Sequence, residues 1–339
     1  MGVWRALALT AMVWAAPALA FDLQGHRGAR GLAPENTLAG FAKALAIGVS
    51  TLELDLGLTK DGVVVVHHDA RLNPDTTRGQ DGQFLTEVGP AVHALTLEEL
   101  RRYDVGRLKA RTPYARRFPA QEPADGAPIP TLAEVFGLAK RLGADHVRFN
   151  VETKLAPGSH DTPEPEPFAR AVAETVRAAG MEARVTVQSF DWRTLRILAE
   201  IAPQLPRSCL TSEGHFDTMQ RGIDGPSPWT AGLDIDAYGS VPALVKAAGC
   251  GIWSPSFRDL TEERLARAKE LGLAVLPWTV NGPEDMARLA DWGVDLLFEQ
   301  MYGELRDLLD LDYDPRRGEY LHGYLDWDEI IFLHQQGFL

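Results

Sequence analysis

Cysteine is nearly absent from this chain, with only Cys209 and Cys250 among 339 residues. That excludes a disulfide scaffold and a ribbon-type zinc site, both of which need several thiolates at close spacing. An oxidising compartment would allow the two to pair, but their positions in the sequence do not fix it. Basic charge is also short: 34 Lys and Arg stand against 47 Asp and Glu, a net charge of −13. Nucleic acids and anionic membrane surfaces are polyanions, so a chain this acidic suits neither. Long apolar runs are missing after the first twenty residues, and crossing a bilayer takes about 20 such residues. No stable membrane insertion is expected. Low-complexity tracts are missing as well. With 45% hydrophobic and 24% charged residues, the chain can bury a proper core. Its length fits one large α/β domain, since a barrel of that class takes about 250 residues plus insertions.

The first twenty residues follow a different rule. Met1 to Arg5 carries one positive charge, Ala6 to Pro17 is almost wholly apolar, and Ala18-Leu19-Ala20 precedes Phe21. That is the three-part pattern of a secretory signal cleaved after Ala20, and it predicts a periplasmic or secreted protein. An uncleaved anchor fits less well, because the apolar run is short and contains Pro17.

From residue 21 short apolar runs alternate with amphipathic stretches. The expected strands are 21–26, 51–56, 147–152, 184–188, 207–211, 251–254, 273–279 and 295–298. The expected helices are 37–47, 132–142, 168–179, 192–201, 241–248, 262–271 and 283–291. Eight strands with helices between them predict a (β/α)8 TIM barrel over residues 21–303; a doubly wound open sheet is the competing arrangement. Two pieces break the repeat. Residues 63–67 follow Lys60-Asp61-Gly62 directly and should fold back as a hairpin on the second strand. Residues 75–130 are rich in polar residues, Pro and Gly and contain one helical run, 97–102, as expected of an insertion over one barrel face. Within it, segment 101–117 carries seven basic residues against Asp104. That cluster is either a solvated face or a rim that attracts an anionic substrate. Residues 304–339 form an acidic, aromatic extension that matches no repeat. Asp310, Asp312 and Asp314 echo the start of a calcium loop, but Pro315 follows and the required Gly and Glu are misplaced.

Alternation within two strands locates the chemistry. Residues two apart on a strand point the same way. Leu52, Leu54 and Leu56 therefore face the helices while Glu53 and Asp55 face inward. In the next strand Val147, Phe149 and Val151 face out, leaving Arg148, Asn150, Glu152 and Lys154 inside. An antiparallel sheet with one wet face would show the same alternation, but helical runs flank both strands and indicate crossovers. Carboxylates inside a barrel cost several kcal/mol each unless something positive compensates. Glu53, Asp55 and Glu152 offer oxygen ligands only, which suits a hard divalent cation, Ca²⁺ or Mg²⁺. One such ion and Lys154 would neutralise the three carboxylates, and Arg27 would then be free to balance a single negative charge, such as that of a phosphodiester. His26 and His68 end strands beside this cluster, as an acid/base pair would require. His67 should point away from the face that His68 occupies. Thr37 reads as a helix N-cap, with Glu35 and Asn36 placed to brace the site.

These residues carry a resemblance. His26-Arg27-Gly28, Pro34-Glu35-Asn36-Thr37, Glu53-Leu54-Asp55, Thr59-Lys60-Asp61-Gly62, His68-Asp69 and Glu152-Thr153-Lys154 are similar, in order and spacing, to the glycerophosphodiester phosphodiesterases. The similarity continues more weakly through Ile129 to Leu132, Gln188-Ser189-Phe190 and Trp278 to Asn281. It implies a metal-dependent TIM barrel with an insertion after the second strand, acting on a small-molecule glycerophosphodiester. It further implies His26 and His68 as acid and base, with Glu53, Asp55 and Glu152 as metal ligands. Arg27 and Lys154 would contact phosphate, and Gln188, Phe190 and Trp278 would line the substrate. Phe298-Glu299-Gln300 departs from the family's usual Thr-Asp after the last strand, which affects the lip of the site rather than its centre. Two other readings remain: a phospholipase of the C or D type acting on intact lipid, and an exported protein that binds a phosphate ester without cleaving it.

Overall fold

A computed structural model describes residues 22–294 except His215, and the short strands 296–299, 313–314 and 319–320. The expected signal sequence and most of the extension, including Asp310 and Asp312 of its calcium-loop echo, lie outside the described residues. In chain order the elements are β1 (Asp22–Gly25), α1 (Leu38–Ile47), β2 (Thr51–Leu58), β3 (Val64–Val66), α2 (Leu97–Leu100), α3 (Leu132–Arg141), β4 (Arg148–Thr153), α4 (Pro165–Ala179) and β5 (Val185–Ser189). There follow α5 (Trp192–Ile201), β6 (Arg207–Thr211), α6 (Ile235–Tyr238), α7 (Val241–Ala247), β7 (Ile252–Pro255), α8 (Glu262–Glu270), β8 (Ala274–Val275), α9 (Pro283–Asp291) and β9 (Leu296–Glu299). The parallel strands neighbour one another in the order β8-β7-β6-β5-β4-β2-β1-β9, with the last strand paired to the first. This is the strand order of a (β/α)8 barrel. Within this sheet β3 alone is antiparallel, folded back on β2 as the Lys60-Asp61-Gly62 turn demands. Among the described residues no helix is long and apolar enough to cross a membrane.

Between strands and helices lies one continuous core in which Leu52, Leu54, Leu56, Phe149 and Val151 pack against Phe41, Phe136, Phe168 and Trp192. The inward faces of β2, β4 and β5 are polar instead. Their register sets Asp55 opposite Glu152 and Glu152 opposite Gln188. Elements depart from expectation at their ends. Helix α4 begins at Pro165, because a proline in the first turn gives up only an N–H that has no partner there anyway. Strand β8 has two residues, although Trp278 N–H still donates to the Pro255 carbonyl at 2.9 Å. Residues 75–130 contribute Val92, Leu100, Val105 and Ile129 to a second small core, which they share with Val65 of β3 and Leu72. Cys209 and Cys250, on and just before adjacent strands, are joined as a disulfide with Cα atoms 5.9 Å apart.

Candidate active site

The site lies at the carboxyl ends of the strands, the end at which barrel enzymes place their chemistry. The chain leaves β1 through His26-Arg27-Gly28, a turn that needs unusual backbone angles. Arg27 and Asn36 both have left-handed φ, 56° and 54°. Each is held in place, Arg27 N–H by a Glu53 carboxylate oxygen at 2.9 Å and Asn36 N–H by the Arg27 carbonyl at 3.0 Å. Gly28 has φ 82°, and a Cβ there would lie 2.8 Å from the Gly40 carbonyl carbon, so only glycine fits. Thr37 caps α1, accepting from Gly40 N–H at 3.0 Å.

Glu53, Asp55 and Glu152 converge, each offering an oxygen within 4.8 Å of the others. Every one of them is buried. Glu53 accepts from Arg27 N–H and from Gln188 Nε2 (3.1 Å). Asp55 accepts from Asn36 Nδ2 at 2.8 Å, with Arg27 Nε at 3.1 Å and Lys154 Nζ at 3.4 Å. Lys154 Nζ also donates to Glu152 at 2.8 Å. Burial, then Asp55 and Glu152, push the Glu53 carboxyl well above the ordinary range. Burial alone would raise Asp55 too, but Arg27 and Lys154 beside it hold that carboxyl well below its usual value. The donor set fits a hard cation. All three ligands offer oxygens, and Asp55 Oδ1 is buried and makes no hydrogen bond, its cation partner being Lys154 Nζ at 3.4 Å.

Above these carboxylates a cavity of about 350 Å³ is lined by His26, Arg27, His68, Glu152, Lys154, Gln188, Phe190 and Trp278, among others. The sequence-predicted residues therefore meet at one place. His26 Nε2 stands 3.8 Å from Glu53. Its pKa is lowered well below normal by burial and by Arg30 and Arg27. His68 Nδ1 is 2.7 Å from Asp69, which also accepts from Asn73 Nδ2 at 2.8 Å. Asp69 is held deep in its ionised form despite partial burial, chiefly by that histidine. An ionised carboxylate can only accept, so the His68 proton lies on Nδ1 and Nε2 is left for chemistry. Burial, with Arg27 and Lys154, brings His68 down to about 4. His67 lies outside this cavity, as alternation predicts, and its N–H donates to the Asp55 carbonyl at 2.9 Å.

Gln188 lines the cavity, and its amide is committed at both ends, to Glu53 and to Asn150 Nδ2 at 3.0 Å, so it also positions Glu53. Phe190 packs edge-to-face on Trp278 with ring centres 5.2 Å apart, and both wall the cavity. Glu35 accepts from Arg27 Nη1 at 2.8 Å and from the Tyr114 hydroxyl, with Arg30 at 3.8 Å. Sequence reading missed Tyr114, Arg30 and Asn73. Of the basic run, Arg101, Arg102 and Arg107 are taken up by exposed carboxylates, and Arg117 lines the cavity.

Residues 26–300 match the glycerophosphoryl diester phosphodiesterase family. A glycerophosphodiester phosphodiesterase of Caldanaerobacter subterraneus subsp. tengcongensis is 30% identical over 274 residues, covering 80% of this chain and 90% of the relative. The same-named enzyme of Bacillus subtilis is 30% identical over 279 residues, covering 80% and 81%. A crystal structure of a candidate glycerophosphoryl diester phosphodiesterase from Silicibacter pomeroyi superposes with a TM-score of 0.75 at 38% identity, covering 86% and 94%. An Oleispira antarctica phosphodiesterase, in complex with its product sn-glycerol 3-phosphate, shares the fold at 22% identity, TM-score 0.62, over 85% and 96%.

Proposed function

The chain belongs to the glycerophosphoryl diester phosphodiesterase family, and from that membership we propose that it hydrolyses glycerophosphodiesters to glycerol 3-phosphate and an alcohol. One observation carries the mechanism: three buried carboxylates, two cations and two imidazoles meet at a single cavity. Glu53, Asp55 and Glu152 would hold a divalent cation, Ca²⁺ or Mg²⁺. Once bound, it supplies Lewis acidity that stabilises negative charge on a phosphoryl oxygen and lowers the pKa of a nearby hydroxyl. Arg27 and Lys154 flank the same carboxylates and hold the remaining phosphate oxygens by charge-assisted hydrogen bonds. Asn36 and Glu35 fix Asp55 and Arg27 in turn.

The two histidines divide the proton work. His26 is kept neutral by burial and two arginines, the state a general base needs, and takes the proton of the attacking oxygen. That oxygen is either that of water or that of the vicinal glycerol hydroxyl, whose cyclic phosphate water then opens to glycerol 3-phosphate. His68, oriented by Asp69, gives a proton from Nε2 to the leaving alcohol. Arg27 and Lys154 oppose a charge on His68 in the free site. An arriving phosphodiester anion offsets them, so protonation of His68 is coupled to binding. Phe190 and Trp278 wall the glycerol. Export after Ala20 is part of the same proposal, and the Cys209–Cys250 disulfide suits an oxidising compartment.

Incubation with glycerophosphocholine in the presence of Ca²⁺ or Mg²⁺ tests this. Free choline and glycerol 3-phosphate are expected. His68→Ala should slow turnover about a hundredfold or more while melting as the parent does. With glycerophosphoinositol run alongside, both substrates left intact would indicate a lipid-specific enzyme, and both retained unchanged would indicate a binding protein. Either result overturns the proposal.

A further inference from the structure

A second cavity, about 420 Å³, adjoins the first and shares Arg30, Arg117, Trp278 and Thr279 with it. Its volume lies within the range of small-molecule sites. We propose that it is the subsite for the leaving alcohol and selects head groups that carry a negative charge of their own. This rests on the phosphodiesterase reading above, which fixes the reacting phosphoryl group beside Arg27 and Lys154. The head group then extends toward the shared wall.

Charge on that wall is positive in a chain whose net charge is −13. Three guanidiniums line the second cavity: Arg30, Arg117 and Arg258. Arg30 is 5% exposed and its Nε has no hydrogen-bond partner. Arg117 and Arg258 are exposed, and among the described residues neither is paired with a carboxylate. The one acid on the lining, Asp285, is already paired with Arg288 at 2.7 Å. The amino end of α9, whose cap residue Gly282 makes no side-chain cap bond, also opens here and adds to the positive field. A quaternary ammonium would need an aromatic face or a carboxylate. The Phe257 ring is covered by the Arg258 guanidinium, 4.6 Å from its centre. The Phe118 ring is likewise under the Arg30 guanidinium, 4.9 Å from its centre, which among the described residues leaves Trp278 as the one ring of this lining without an arginine over it. A choline there would face three guanidiniums, whereas a phosphate or carboxylate has two arginines that no carboxylate pairs. Arg117 is carried by the 75–130 insertion, so selectivity would reside in a segment outside the barrel repeat.

A matched pair of substrates isolates the charge: glycerophosphoinositol and glycerophosphoinositol 4-phosphate, with glycerophosphocholine as the cationic comparison. The expected kcat/KM for the phosphorylated member exceeds that of its partner by about tenfold, the size of one charge-assisted contact. The gap should narrow as salt is raised. It should fall below about threefold in an Arg117→Gln, Arg258→Gln double variant, which alters exposed side chains only. Equal rates on the matched pair, or a double variant that keeps the full gap, would overturn the head-group assignment alone. If none of the three diesters releases glycerol 3-phosphate, the phosphodiesterase reading itself fails, and this inference fails with it.

Discussion

Replacing Glu53 with glutamine should change the protein's response to a divalent cation far more than its stability without one. The carboxylate oxygens of the trio lie within 4.8 Å of one another. Two unit charges at that separation would repel by about 3.5 kcal/mol at an effective dielectric of about 20. Without the cation this cost is relieved in part, because the Glu53 carboxyl takes up a proton more readily than usual. Glutamine removes that repulsion. It also replaces one of two acceptor oxygens with a donor, facing either Arg27 N–H or Gln188 Nε2. Such a mismatch costs about 1–3 kcal/mol. The two effects nearly cancel, so in chelator the Glu53→Gln protein should melt within a few degrees of the parent. In cation they separate. A ligand present at a hundredfold over its Kd stabilises the folded state by about 2.7 kcal/mol. For a chain of this size that is a rise of about 5 °C in Tm. The parent should show this rise with Ca²⁺ or Mg²⁺ and lose it, along with activity, in EDTA; the variant should show neither the rise nor the activity. Thermal melts across a cation titration decide it. A parent indifferent to chelation, or a variant with the full upward shift, would refute a cation site built on these three acids.

Three further outcomes are expected. In chelated protein the His68 imidazole should titrate near pH 4 by NMR. Lys154→Met should move that titration upward, since it removes a cation that disfavours imidazolium, and Asp69→Asn should move it further down. Tyr114→Phe deletes a donor to Glu35 and an acceptor for Arg30 Nη1 (3.2 Å), and should lower kcat/KM about tenfold while Tm barely moves. Unchanged kinetics would leave Tyr114 a packing residue only. Cys209→Ser opens a link between residues 41 apart and should cost about 4 kcal/mol of stability, seen as a lower denaturation midpoint with kcat intact. Equal midpoints with and without reductant would argue against the bond.

What could be read from the sequence was whatever a strand's own alternation determines. Once Leu52, Leu54 and Leu56 are committed to the helix layer, Glu53 and Asp55 have only the interior left, and the same holds for Glu152 beside Val151. His67 and His68 are parted by the same rule. Parallel pairing followed from eight strands and their crossovers, because parallel neighbours cannot be joined in any shorter way. A doubly wound sheet shares those crossovers and is set aside by the pairing of β9 with β1. The parts that stayed hidden depend on which distant segments meet, and periodicity carries no information about that. Tyr114 reaches Glu35 from 79 residues away, out of an insertion with no repeating pattern. Gln188 lines the cavity its motif suggested, but its bond to Glu53 across a separation of 135 residues could not be read from that motif. Arg117 sits in a basic run of which Arg101, Arg102 and Arg107 find surface carboxylates, and nothing local sets it apart. Its position over two cavities follows from where Tyr114 pins the insertion to the barrel. The centre of the site is therefore written in strand alternation. Its outer wall, which decides what alcohol can leave, is written in the packing of the insertion.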